Sequence, residues 1–368
     1  MKWMLGLLLV GPLTASAEES TFWRVRSAST AVVTTIDMNG RIAWSNSVPG
    51  NNEQVQRATA IFPVANWQDY VLVPATGTTT SVTAFDLHPP ANMALIPEGK
   101  FVMGATTNAG HESYSSDERP QHTVYVSAFY MDQYEVTEAL WYEVKDWADT
   151  NGYLINWGLV KTAHHPIYYA NWYDVVKWCN ARSEKEGLAP CYTTNGVTYK
   201  TGDNSNVVCN WSANGYRLPT EAEWEKAARG GVADTRFPWT DYTNRISHAK
   251  ANYYGLSGSF SYDLSSDYHP LYQTGDMPYS SPVGSFAPNG YGLYDMAGNM
   301  REWVWDWYGA DYYSSSPSTN PSGAASGLHR VLRGGSWLAY VDQRCASRSR
   351  NLPDYESSEQ GFRCVRRK

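Results

Sequence analysis

The chain has 368 residues, a formal net charge of −7 and only 18% charged residues. Basic residues are scattered apart from Arg366-Arg367-Lys368, so nucleic acid is not an expected partner. Aromatics reach 14%, with 16 Trp and 27 Tyr, a composition that suits a recognition surface as well as an aromatic core.

Residues 1–17 read as a signal peptide. Lys2 supplies a positive charge, Met4 to Val10 form a short apolar run, and Ala15-Ser16-Ala17 matches a small-x-small cleavage pattern. The run is too short to span a bilayer, no longer one follows, and no cysteine follows it to take a lipid. The expectation is an exported protein, periplasmic or extracellular, with no membrane span. In an oxidising compartment its five cysteines suggest two disulfides and one leftover thiol, with Cys191 and Cys209 pairing locally around a Gly/Asn-rich excursion.

Residues 18–90 read as a small β-sandwich-like module. Arg41–Ser45 and Glu53–Arg57 alternate apolar and polar residues, and Trp67–Val71 and Thr80–Phe85 follow as later strands. Asn39-Gly40 and Pro49-Gly50 mark turns, and His88-Pro89-Pro90 marks a linker. The segment weakly resembles fibronectin-III-like modules.

Residues 91–368 form the second expected domain. Met93–Gly104 reads as a strand, a Pro/Gly turn and a returning strand, and His122–Met131 as a further β run. Thr137 caps a helix with Leu140, Trp141, Val144, Trp147 and Ala148 on one face. Asn171 caps a second, ended by Gly187; Thr220 and Glu223 make a capping box for a third, ended by Gly230-Gly231. The remainder is rich in Gly, Ser, Asn, Pro and Tyr, which implies a loop-rich α+β fold.

Several segments in this region form an ordered set: Ile96–Gly104, Glu135-Val136-Thr137, Gly215–Gly230, Pro282–Phe286, Asn289–Asn299 and Glu302-Trp303. The set closes on Arg330–Trp337, Arg344–Arg348 and Gly361–Cys364. Together they resemble the formylglycine-generating enzymes, or sulfatase-modifying factors, and imply a variant of the C-type lectin-like fold.

The resemblance carries expectations of its own. It implies structural Ca²⁺ at Asp295, the Gly298 and Met300 carbonyls and Glu302, and a second ion at Asn252, the Tyr253 carbonyl and Asp276. Without it, Asp295 and Glu302 are two carboxylates flanking a turn. It also implies a Cys179–Cys364 disulfide and leaves Cys345 without its partner, to be either a buried free thiol or a reactive nucleophile beside Arg344. Catalytic members hold copper between two thiolates in the interval before Arg344. Here that interval, Leu338–Gln343, has no cysteine, and soft Cu(I) needs thiolates, so no copper is expected.

Two functions follow. The first is a non-catalytic scaffold that presents a C-terminal surface to a protein or carbohydrate ligand, through Trp337, Tyr340, Asp342, Gln343, Arg344, Arg350, Asp354 and Tyr355. Retroelement-diversified binders of this fold vary the same region. The alternative is a formylglycine-generating oxidase acting on a sulfatase cysteine. No HExxH pattern or Gly-x-Ser-x-Gly elbow supports other hydrolytic chemistry.

Overall fold

The computed structural model describes residues 2–10, 21–27, 32–36, 41–45, 47, 49, 52–58, 68–75, 79–83, 89–105, 115–159, 161–241, 243–340 and 342–368. The cleavage pattern at Ala15–Ala17, the Asn39-Gly40 turn and His88 lie outside them.

Among the described residues, seven strands precede residue 90: β1 (Lys2–Val10), β2 (Thr21–Ser27), β3 (Val32–Ile36), β4 (Arg41–Ser45), β5 (Asn52–Ala58), β6 (Gln68–Pro74) and β7 (Thr79–Thr83). Strands β3, β4 and β7 form one sheet, and β1, β2, β5 and β6 join another. Alternation in β4 decides its faces: Ile42 and Trp44 are buried while Arg41 is exposed. The apolar run Met4–Val10 lies within β1, paired antiparallel with β2.

The second sheet does not stop at residue 90. After β8 (Met93–Ile96) comes β9 (Gly99–Met103), and Leu72 of β6 pairs with Lys100 of β9. Strand β9 in turn pairs with β10 (His122–Val126), giving six strands across the expected domain boundary. One apolar cluster likewise joins Trp44, Val55, Tyr70 and Val82 to Ile96, Val124, Leu293 and Met296. The Tyr291 hydroxyl donates to the Tyr70 carbonyl at 2.6 Å, and the two rings meet edge to face. The described strands β4 to β7 thus share their core with the rest of the chain.

Strands β8 and β9 are not the strand and its return that the Pro/Gly turn suggests. Strand β8 pairs with β11 (Phe129–Asp132), whereas β9 pairs with β10. A buried ammonium holds the corner open. Lys226 Nζ donates to the carbonyls of Pro97, Gly99 and Val126, at 2.5, 3.0 and 3.3 Å, so these acceptors answer to a side chain. Burial pulls the Lys226 pKa down to about 7. The single run His122–Met131 breaks for a related reason: Ser127 N–H donates to Asn320 Oδ1 (2.8 Å), leaving the ladder.

The helices follow their caps. In α1 (Glu138–Thr150) Thr137 Oγ1 accepts from Leu140 N, and Trp141, Val144 and Ala148 face inward. In α2 (Trp172–Lys185) Asn171 Oδ1 accepts from Asp174 N, and residues 172–183 are buried all round. Trp141 and Trp178 stack at 5.7 Å across α1 and α2, with Phe362 edge-on to both. The third helix, α3 (Glu221–Arg229), has the full Thr220/Glu223 capping box and stops at Gly230, whose φ of 57° suits glycine.

Short strands finish the chain: β12 (Tyr192–Thr194), β13 (Val197–Thr198), β14 (Val208–Cys209), β15 (Tyr216–Arg217), β16 (Gly255–Leu256), β17 (Ser266–Asp267), β18 (Arg301–Trp307), β19 (Arg330–Arg333), β20 (Ser349–Asn351), β21 (Gln360–Gly361) and β22 (Val365–Arg367). The order β15-β22-β11-β8 lays the last strand between β15 and β11. The order β20-β19-β18-β21 assembles the terminal motifs into one sheet.

Candidate functional site

Strand β19 leads into Gly334 and Gly335, with φ of 89° and 72°. A Cβ on Gly335 would come within 2.9 Å of the Asp342 backbone, so glycine lets the chain close on itself here. Trp337 then turns inward and is 1% exposed. Its backbone N–H donates to the Asn299 carbonyl (2.8 Å) and its indole N–H to the Ser358 carbonyl (3.0 Å). The chain loops out through Leu338 and Tyr340, which is 50% exposed, and returns at Gln343, whose buried amide donates to the Ala339 carbonyl.

Tyrosines surround this loop. Tyr279 meets Trp337 edge to face at 5.5 Å, Tyr268 stacks on it at 6.0 Å, and Tyr254 meets Tyr268 at 4.8 Å. Tyr168 and Met300 complete the cluster, with Tyr169 packed against it. Tyr169 has φ of 56°, a left-handed conformation costly for a bulky residue, and is held there by donating its N–H to the Ser357 carbonyl. Tyr355 (49% exposed) and Asp354 lie on the neighbouring exposed segment. The sequence reading missed these five tyrosines because separate loops bring them together and no periodicity links them; only the local Tyr density at 168–169 and 253–279 hints at them.

The structure divides the eight residues expected to meet a ligand. Tyr340, Arg350, Asp354 and Tyr355 are exposed, and Asp342 is half-buried in an ion pair with Arg301 at 2.9 Å. Trp337, Gln343 and Arg344 are buried, which corrects their assignment to the surface. Arg344 grips Glu118 through two bonds of 2.7 Å. Arg350 is exposed but stacks over Tyr308 at 4.1 Å.

Three more arginines of the terminal motifs are buried and paired. Arg333 reaches Glu221 and Glu225, Arg348 reaches Glu221 at 2.7 Å, and Arg363 reaches Glu302 at 2.7 Å. The last pair bears on calcium. Arg363 Nε and Nη2 and the Trp224 indole N–H together direct four hydrogen bonds at the two Glu302 oxygens. That uses the carboxylate's acceptor capacity. Asp295 accepts from Gly284 N–H at 2.6 Å through Oδ2, while Oδ1 is buried without a partner. Burial raises the Asp295 pKa to about 6. Glu135, which accepts from Asn299 and Met300, is pushed well above the usual range by burial and then by Asp295 and Glu302.

Gly298 is needed for close approach, since a Cβ would sit 2.2 Å from the Asn252 carbonyl. At the second expected site, the Asn252 amide donates to the Tyr279 carbonyl, the Tyr253 carbonyl faces His248 Nε2, and Asp276 is exposed on a loop. Among the described residues no group of three or more His, Cys, Asp or Glu could hold a metal ion. Calcium takes six to eight oxygens, and these residues, as arranged, do not form either expected shell. Arg363 is the cation beside Glu302.

All five cysteines are buried thiols in the structure, so neither expected disulfide is formed in it. Cys179 and Cys364 nevertheless face each other at 3.6 Å, with burial raising the Cys179 pKa well above normal. The Cys191 thiol donates instead to the Gly215 carbonyl at 3.4 Å. Cys345 lies in the core, its pKa pushed up by burial to about 12. These enclosed thiols do not fit a copper-thiolate centre open to substrate.

Loop-rich α+β architecture, the capped α3 segment and the paired terminal motifs together define a class. Residues 79–368 match the sulfatase-modifying factor enzyme 1-like domain, and the chain belongs to that family. It is 32% identical to the formylglycine-generating enzyme of Bos taurus, across 75% of each chain. It is 35% identical to that of Streptomyces coelicolor, across 73% of this chain and 87% of the other. Among solved structures it is similar to CarF (28% identity, TM-score 0.56, 76% of this chain and 99% of that one). It is likewise similar to Treponema denticola variable protein 1 (29%, TM-score 0.55, 76% and 100%). Among the described residues no helix is long and apolar enough to cross a membrane.

Proposed function

We propose that this chain is an exported, non-catalytic member of its family that binds a protein or carbohydrate ligand on the tyrosine-lined face around Tyr340. The observation that carries the reading is the interval Leu338–Gln343. It offers no thiol, and the nearest in sequence, Cys345, is buried and protonated. In place of a metal site it presents Leu338 and Tyr340 on a loop closed by Gln343, above a rigid Trp337 floor. Tyrosines give contact area at low entropic cost, and a packed floor keeps them pre-organised.

Two measurements test this. The full chain is incubated with copper, oxygen and a cysteine-containing sulfatase peptide, and the peptide is weighed by mass spectrometry. Conversion of thiol to aldehyde would restore the oxidase reading. Separately, the chain is screened on protein and glycan arrays beside Tyr340→Ala and Tyr355→Ala. Binding that both variants retain in full places the ligand elsewhere.

A further inference from the structure

A cavity of about 940 Å³ lies away from the tyrosine face and shares no lining residue with it. Its walls are the Glu98 corner, Ser127 after β10, the Asn320–Ser322 loop and Arg367 of β22. Trp211, two residues past β14, stands in it with 43% of its surface exposed. An indole so open is immobilised only if its neighbours hold it. Trp305 meets its ring edge-on at 5.9 Å, and Arg217 lies 5.0 Å over the ring. Arg217 is itself fixed by two 2.7 Å bonds to Glu223. The exposed remainder of the ring is therefore a pre-set platform.

The polar groups around it are also fixed and still have capacity. Asn320 spends one amide lone pair on Ser127 N–H (2.8 Å) and one N–H on Ser127 Oγ (3.0 Å), which orients the amide and leaves a second donor and acceptor. Among the described residues, the one hydrogen bond to the Glu98 side chain comes from the Tyr125 hydroxyl at 3.3 Å. Ser212 is exposed beside Trp211, and Arg367 leans on the Ser212 carbonyl at 3.4 Å. Of the lining residues only Trp211 exposes a large apolar side chain, so there are no apolar sub-pockets to read a peptide. Of the three cations in the lining, Arg217 is already paired with Glu223, and Arg367 and Lys368 remain with Glu98 as the other acid. One flat aromatic face ringed by amide, carboxylate, hydroxyl and guanidinium groups matches a pyranose, which has an apolar face and an equatorial rim of hydroxyls.

We propose that the Trp211 cavity is a second ligand site, and that its ligand is a neutral oligosaccharide stacked on the indole. The site uses none of the residues of the tyrosine face, so it stands or falls separately.

The test is a glycan array of neutral hexose and N-acetylhexosamine oligosaccharides together with acidic and sulfated ones, probed with the full chain. At least one neutral oligosaccharide binds, and binding survives about 0.5 M NaCl, an ionic strength that screens exposed charge. Trp211→Ala lowers its affinity at least about tenfold, as loss of a central aromatic anchor does. Trp211→Tyr retains most of it. Circular dichroism and thermal melting confirm that each variant is folded. No neutral glycan bound by wild type, binding confined to acidic glycans and lost in salt, or equal binding by folded Trp211→Ala would each overturn the site. If Tyr340→Ala rather than Trp211→Ala abolishes glycan binding, the tyrosine face is the site and the cavity is not.

Discussion

The terminal motifs and the loops between them behave oppositely, although they alternate within forty residues. Arg333, Arg344, Arg348 and Arg363 point inward, each against a buried carboxylate. Leu338, Tyr340, Leu352 and Tyr355 point outward with no comparable ties. A buried charge cannot lose its partner cheaply, whereas an exposed tyrosine can be exchanged at little cost to folding. The motif that marks the family is thus its ionic skeleton, and the residues free to specify a ligand are those the motif skips.

The sharpest way to break this contrast is Arg363→Met. It leaves Glu302, Asp295 and Glu135 buried with no cation beside them, and should cost about 3–5 kcal/mol in urea unfolding or leave the protein insoluble. A loss under about 1 kcal/mol would mean that the pair is not structural. Arg344→Met, which strands the buried Glu118, should cost somewhat less, about 2–4 kcal/mol by the same measurement, because one rather than three carboxylates is affected.

A pH series sharpens the comparison from the other side. His165, bonded to Ser280 at 2.9 Å, has its pKa lowered to about 4, first by burial and then by Lys161 and His164. Its unfolded value is near 6.5, so the unfolded chain binds the proton more readily. Stability from this group is present above pH ~6.5 and lost as pH falls toward ~4, by about 1–2 kcal/mol. Asp295, raised to about 6, contributes the opposite slope, so the effect is read as the difference between wild type and His165→Gln. A difference that does not change with pH would remove His165 as its source.

Two smaller effects complete the set. If the Glu302–Arg363 clamp is the resident charge balance, a chelator should leave the melting temperature unchanged; a calcium-reversible fall would show that Asp295 Oδ1 recruits an ion after all. Tyr340→Ala should shift stability by no more than about 0.5 kcal/mol while lowering ligand binding. A large loss of stability there would move Tyr340 from the presented set to the skeleton.

Much of the fold was legible locally. Thr137, Asn171 and the Thr220/Glu223 box announce three helices because a cap is a short-range bond between neighbours in sequence. Pairing partners were not legible in the same way. Nothing near Pro97 reveals that Lys226, more than a hundred residues later, will occupy its carbonyl and split β8 from β9. The site divides similarly. The interval without thiols could be read directly, but arginines bound for Glu118 and Glu302 look like surface residues until the fold supplies their partners. The tyrosine ring and the Trp211 cavity are assembled from distant loops, and their members are ordinary aromatics in the sequence.

The sheet that runs from β1 to β10 has a practical consequence for anyone dividing the chain. A cut at residue 90, which the prolines invite, would strip β6 from the edge of β9 and bare the side of Tyr291 that rests on Tyr70. The remaining fragment would carry a raw strand edge and an apolar wound, the two features that make truncated proteins stick to one another. The leading segment is a fused flank, and its excision would be paid for in solubility.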